Sequence, residues 1–137
     1  MTKSVWRFTT TVLLLLIIGS GAAWGGRIDF SFKEIMAKIK SQQVAKEFVE
    51  ASPTFNFDGI SFSLKLVDTI ANECSNCWIV IFEFSCLHTG YGDRSQAALF
   101  PLITSHIATI TLDQYEIIQA DLDGVWDMLS QEMLSSY

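Results

Sequence analysis

The clearest pattern in the chain is an alternation of apolar and polar positions that begins at Trp78. Read with the two-residue period of a strand, Trp78, Val80, Phe82, Phe84, Cys86 and His88 share one face. Ile79, Ile81, Glu83, Ser85 and Leu87 share the other, which turns polar partway. Such a pattern predicts a central antiparallel strand with one face on a core and the other partly wet. Directly after it, His88-Thr-Gly-Tyr-Gly-Asp-Arg94 predicts a sharp turn freed by two glycines.

Upstream, Ile60, Phe62, Leu64 and Leu66 alternate with Ser61, Ser63 and Lys65, which predicts another strand after the Phe57-Asp58-Gly59 turn. Asp68 to Asn76 reads as a connection. Ala97 to Leu112 is too long for one flat strand, and Pro101 should mark an edge or bulge within it. Beyond Pro101, Ile107, Thr109 and Thr111 alternate with Ala108, Ile110 and Leu112. Asp113-Gln114 should close a tight hairpin into Tyr115 to Leu122, where Ile118, Ala120 and Leu122 share a face. Asp123-Gly124 should stop that strand, and Val125, Leu129 and Met133 recur with the spacing of a short C-terminal helix.

Helical signals lie before Pro53. Ser31-Phe32-Lys33-Glu34 has the form of a capping box. Phe32, Ile35, Met36 and Ile39 centre on one helix direction, while Val44, Ala45, Phe48 and Val49 centre roughly 160° away. A straight helix cannot bury both stripes in one core, so a break is expected near Ser41. Residues 27–40 would then form a stalk or membrane-proximal helix, and residues 41–137 the domain. The sum is an α+β protein in which a helix packs on about four antiparallel strands.

Composition changes this picture at the N-terminus. Lys3 and Arg7 precede an uncharged run of 19 residues from Phe8 to Gly26, flanked by Trp6 and Trp24. As a helix the run would span about 28 Å, close to the thickness of a bilayer core. Small residues at Ala23 and Gly25 equally suit a signal-peptidase site. Residues 1–26 are therefore expected to be a cleaved signal peptide or a transmembrane anchor. Either way, residues 27–137 are expected outside the cytoplasm, at the outer face of the membrane or secreted. Beyond Gly26 the chain carries 7 basic against 15 acidic residues, a balance of −8 that repels phosphate backbones and argues against nucleic-acid binding.

Three constellations have chemistry to weigh. Cys74 and Cys77 have C-x-x-C spacing, but Cys77 leads into a strand rather than a helix, which speaks against redox catalysis. They are expected to form a short-loop structural disulfide or to remain two thiols. Zinc fits poorly: Cys77 and His88 are about 36 Å apart along an extended strand. Cys86 and His88 would need His106 to approach, and Cys86 alone reads as a small buried hydrophobe. No cofactor is called for.

The third constellation is His88, Tyr91, Asp93, Arg94 and His106, a candidate ligand-binding site. A His–Asp pair there could act as a general base, although no nucleophile stands nearby. The structural alternative has Asp93 capping the glycine turn, Arg94 paired with a carboxylate and His88 hydrogen-bonded at the edge of the core.

The element order resembles the cystatin-like helix-on-curved-sheet folds, with no inhibitor motif. The runs Ser52-Pro-Thr-Phe55, His88 to Arg94 and Asp123-Gly-Val-Trp-Asp-Met128 resemble a group of small exported prokaryotic proteins of unknown function. Ser95 stands where that group leads one to expect a further Gly. The resemblance implies an extracytoplasmic domain and no reaction. The expectation is thus a non-enzymatic binding or interaction domain, with residues 8–26 in the membrane if uncleaved and an unidentified protein partner. The alternative is a small hydrolase-like or metal-dependent enzyme using His88, Asp93 and Arg94.

Overall fold

A computed structural model describes residues 22–135, with side chains from Phe32 onward. Residues 1–21 of the expected anchor or signal segment lie outside it. Among the described residues no helix is long and apolar enough to cross a membrane. The chain divides into two compact units, Met1–Met36 and Ala37–Tyr137.

The first helix, α1 (Ala22–Ala51), is continuous. It is already under way at Ser31, so the capping-box start is not used. The break expected at Ser41 does not occur either. Within the second unit α1 buries a line of small or compact residues at four-residue spacing, Ala37, Ser41, Ala45 and Val49. This one stripe is the part of α1 that enters the core, through Ala45 and Val49. Phe32, Ile35, Met36 and Ile39 stay half exposed instead of demanding a second burial direction.

A short helix, α2 (Pro53–Asp58), follows at once, with Pro53 in its first turn where the missing N–H costs nothing. Next comes a 3-10 turn at Ser61–Ser63 where the expected strand over Ile60–Leu66 should begin, and the strand starts only at Lys65 and runs to Ala71, into the expected connection. Ser63 accounts for the difference. Ser63 Oγ donates to Ile60 O at 2.6 Å and accepts Ser85 N–H at 2.8 Å, which closes a turn and takes a place a ladder bond would have held. Phe62 is consequently exposed.

The fold is α+β, with a six-stranded antiparallel meander in the order β1-β2-β3-β4-β5-β6 rather than four strands. These are β1 (Lys65–Ala71), β2 (Cys77–Cys86), β3 (Thr104–Asp113), β4 (Glu116–Leu122), β5 (Trp126–Asp127) and β6 (Glu132–Met133). β2 and β3 pair without a slip from Cys77↔Asp113 to Cys86↔Thr104. Their inner faces carry Trp78, Val80, Phe82, Phe84 and Cys86 against His106, Ala108, Ile110 and Leu112, all buried. Ala45 and Val49 of α1, Phe55 of α2, and Ala120, Leu122 and Met128 complete this core.

Three local departures have local causes. The β3–β4 hairpin turns on Gln114 and Tyr115, both at positive φ, one residue later than expected. A bulge then leaves Ile118 without a ladder partner, since Thr111 pairs with Gln119 and Leu112 with Ile117. Ile118 is turned out to solvent and Ile117 packs on the core in its place. At the C-terminus the expected helix is a β5–β6 hairpin. Asp127 Oδ1 accepts the N–H groups of Leu129 and Ser130 at 2.8 and 3.2 Å, and Gln131 sits at φ 58°. A carboxylate that captures two backbone donors in this way favours a turn over a helix. Those bonds also hold the Asp127 carboxyl below its usual range.

Candidate functional site

The glycine turn lies over the junction of α2 and the C-terminal end of β2. Its floor is Asp58, the last residue of α2. Asp58 Oδ2 accepts both the backbone N–H of His88 at 2.9 Å and the ring Nδ1–H of His88 at 2.8 Å. Its Oδ1 is paired with Arg94 Nη2. The backbone closes the same junction: Leu87 N–H donates to Asp58 O at 3.2 Å, and Gly59 bridges to Cys86.

Arg94 is consumed by this arrangement. Besides Asp58, its guanidinium donates to Gly90 O and, at 3.2 Å, to Thr54 O, and its plane stands over Phe57 at 5.1 Å. Thr54 Oγ1 in turn accepts the N–H of Gly92 at 2.7 Å. The side chains of Asp58 and Arg94 are only 6% and 5% exposed, so this is a buried ion pair; both Arg94 Nη atoms are hydrogen-bonded, whereas its Nε has no partner among the described residues. Gly90 and Gly92 stand at φ 100° and 69°. A Cβ at Gly90 would meet the Arg94 stem at 3.1 Å, and one at Gly92 would meet the Trp126 ring at 3.1 Å. The two glycines thus allow the turn to fold down onto its own arginine and onto β5.

A second aspartate holds the other side of the turn. Asp123 Oδ2 accepts His106 Nδ1–H at 2.7 Å and Tyr91 O–H at 3.0 Å, and its Oδ1 accepts the N–H of Ile107 at 2.7 Å. Tyr91 stacks on Trp126 with ring centroids 5.7 Å apart and also touches His106. Partial burial, and then the bond to Asp123, raise the Tyr91 hydroxyl above its ordinary pKa. His106 is buried under Phe84 and Tyr91, and its Nε2 has no partner among the described residues.

Of the five residues singled out from the sequence, His88 and Arg94 meet at Asp58, and Tyr91 and His106 meet at Asp123. Asp93 joins neither. It is exposed, and its Oδ1 accepts Ser95 N–H at 2.9 Å, a bond that lowers its carboxyl pKa. An open groove of about 430 Å³ beside it is lined by Ala51, Pro53, Asn56, Phe57 and Asp93, without His88 or Arg94. Sequence reasoning missed Asp58, Thr54 and Asp123: it read Asp58 and Asp123 only as turn residues and Thr54 only as part of the run 52–55. The available signal was the trio of runs at 52–55, 88–94 and 123–128, which the fold brings to one place. No known protein family, curated protein or solved structure matches this chain.

Cys74 and Cys77 form a disulfide at the opposite end of β2, with Cα atoms 5.3 Å apart. Cys86 is a free, fully buried thiol whose Sγ lies 3.6 Å from Thr54 O. Burial, then the Asp58 charge, push it from its ordinary value of 9.0 up to about 11. The folded state thus keeps this thiol protonated where the unfolded chain would release the proton, and its contribution to stability, complete below about pH 9, is lost towards pH 11. Urea unfolding at pH 8 and pH 10.5 should show a larger loss in the parent than in Cys86→Ala. Equal losses in both chains would remove Cys86 from the account.

Proposed function

We propose that the chain is a small extracytoplasmic interaction domain without catalytic activity, tethered to the membrane through residues 8–26 where that run is not cleaved. The observation that carries this reading is the internal use of Asp58, His88 and Arg94 under the glycine turn, which leaves Asp93 as the exposed ionic group there. Arg94 and His88 are both bound to Asp58, Arg94 also to the carbonyls of Gly90 and Thr54, Thr54 Oγ1 holds Gly92, and among the described residues no serine, threonine or free cysteine is hydrogen-bonded to either histidine ring. An enzymatic reading would need Asp93 and a cavity reaching His88 and Arg94, and it draws no support from this geometry. The helix laid on an antiparallel sheet is compatible with the cystatin-like resemblance, and that likeness carries no activity. Lys3 and Arg7 ahead of the uncharged run, together with the disulfide, support the extracytoplasmic placement.

What the domain offers outward next to this staple is apolar. Ala97 to Ile103 carries no charge, and Phe100, Leu102 and Ile103 are 67%, 53% and 67% exposed. Half-exposed Leu87 directly follows Cys86, and Ile103 directly precedes Thr104, at the end of the β2–β3 ladder. Several large apolar side chains in one run make a contact surface for an apolar patch on a protein partner. A photo-crosslinking residue placed at Phe100 in native membranes should give one discrete protein adduct. The same residue at exposed Gln119 of β4 should give none, and Ile103→Asp should abolish the Phe100 adduct. Equal labelling from both positions, or an adduct unaffected by Ile103→Asp, would overturn the reading.

A further inference from the structure

At the other end of β2, the C-x-x-C loop meets the β3–β4 hairpin. Cys77 pairs with Asp113 across the ladder, and Gln114 N–H donates to Asn76 O at 3.2 Å. The sulfurs of Cys74 and Cys77 and a carboxylate oxygen of Asp113 all lie within 4.8 Å of one another. Asp113 Oδ1 stands 3.3 Å from Cys77 Sγ. In the disulfide that sulfur carries no hydrogen, so it gives the carboxylate no bond. A cation between them would satisfy both.

We propose that this cluster is a redox-gated site for a zinc-class divalent ion, closed by the disulfide and opened by a dithiol reductant. The reductant transfers two electrons and two protons, its own thiols become a disulfide, and Cys74 and Cys77 become thiols. The ion then displaces both thiol protons to the medium and binds two thiolates and the Asp113 carboxylate. Two sulfurs and one oxygen are a normal zinc donor set, with a water in the fourth position. Tetrahedral bonds of about 2.3 Å set the two sulfurs about 3.8 Å apart. Cα atoms 5.3 Å apart accommodate that spacing by side-chain rotation alone. Cys74 and Asp113 are exposed, so the ion has a path in, whereas Cys77 is buried and holds the site to the sheet.

The test is a cobalt(II) titration of the full-length chain in mild detergent, before and after reduction by a phosphine. The phosphine supplies the two electrons, becomes a phosphine oxide with an oxygen from water, and competes weakly for metal. The reduced chain should develop thiolate-to-cobalt charge-transfer absorption at one equivalent, which zinc bleaches, and the oxidised chain should not. Cys74→Ser should abolish the band, and Asp113→Asn should raise the cobalt Kd by about tenfold or more. The same absorption in the oxidised chain, its survival in Cys74→Ser, where Cys77 and Cys86 remain, or no absorption at millimolar cobalt would overturn the proposal. An unchanged Kd in Asp113→Asn would remove the carboxylate from the site and with it the account of its place beside Cys77.

Discussion

Asp58→Ala should cost the domain about 3–5 kcal/mol in urea unfolding, the range for breaking a buried ion pair by removing one partner. The reason is what remains behind. Arg94 would keep its charge in a site where its side chain is 5% exposed, with only the carbonyls of Gly90 and Thr54 left to it. Arg94 Nε is already buried without a partner, so nothing nearby can take up the slack. His88 would lose the acceptor of both its backbone and ring N–H groups. Asp58→Asn should fall between parent and Asp58→Ala, because the amide oxygen still accepts while the charge is gone. Asp93→Ala should change stability little by comparison, since that carboxylate is exposed and bonds only Ser95 N–H.

Asp123→Ala is the second large effect, about 2–4 kcal/mol, from two independent sources. The first is the loss of the acceptor for His106 Nδ1–H, a ring that is 1% exposed and cannot turn to water, together with the Ile107 N–H. The second is the backbone: Asp123 sits at φ 57°, which Asp and Asn tolerate and Ala does not. Asp123→Asn keeps both the tolerated backbone and an oxygen acceptor, so it should cost about 1 kcal/mol. Tyr91→Phe should cost less than Asp123→Ala, because the Tyr91 bond lies near solvent. Urea titrations of the three variants check the order. Asp123→Ala and Asp123→Asn falling together would mean that backbone strain and the ring contact are not what Asp123 supplies.

The legible part of the fold was the part governed by a short, strong period. Trp78 to Cys86 alternates so regularly that its buried face could be read directly, whereas the alternation over Ile107–Leu112 gave the strand without saying that Ala108, Ile110 and Leu112 are the buried set. The illegible parts were decided by single polar side chains. Ser63 turned an alternating Ile60–Leu66 into a 3-10 turn, and Asp127 turned the helical spacing of Val125, Leu129 and Met133 into a hairpin. Ile118 was read on the wrong face because a bulge inserts one residue, and a shift of one reverses every side chain after it. At α1, two apolar stripes were taken to require two cores, whereas the helix leaves one of them half exposed.

The site divides in the same way. That His88 to Arg94 forms a polar turn held by glycines was visible locally. Its partners Asp58 and Asp123 were not, since Asp58 lies 30 and 36 residues from His88 and Arg94, Asp123 lies 32 and 17 residues from Tyr91 and His106, and only the tertiary fold brings them together. An Asp-Gly pair reads as a turn in sequence whether its carboxylate faces water or a buried histidine. The gap between local pattern and long-range pairing is therefore widest where the chemistry is.

The central claim is that the ionic cluster under the glycine turn is a staple of the fold. A double-mutant cycle on Asp58 and Arg94, read by urea unfolding of the full-length chain in mild detergent, tests it most directly. Asp58→Ala and Arg94→Met should each be destabilised by several kcal/mol, while the double variant, with no buried charge left, should lose clearly less than the two costs added together, a coupling of about 2 kcal/mol or more. Single variants as stable as the parent, with no coupling between them, would contradict the staple and mark the turn as a polar site held under strain for a ligand.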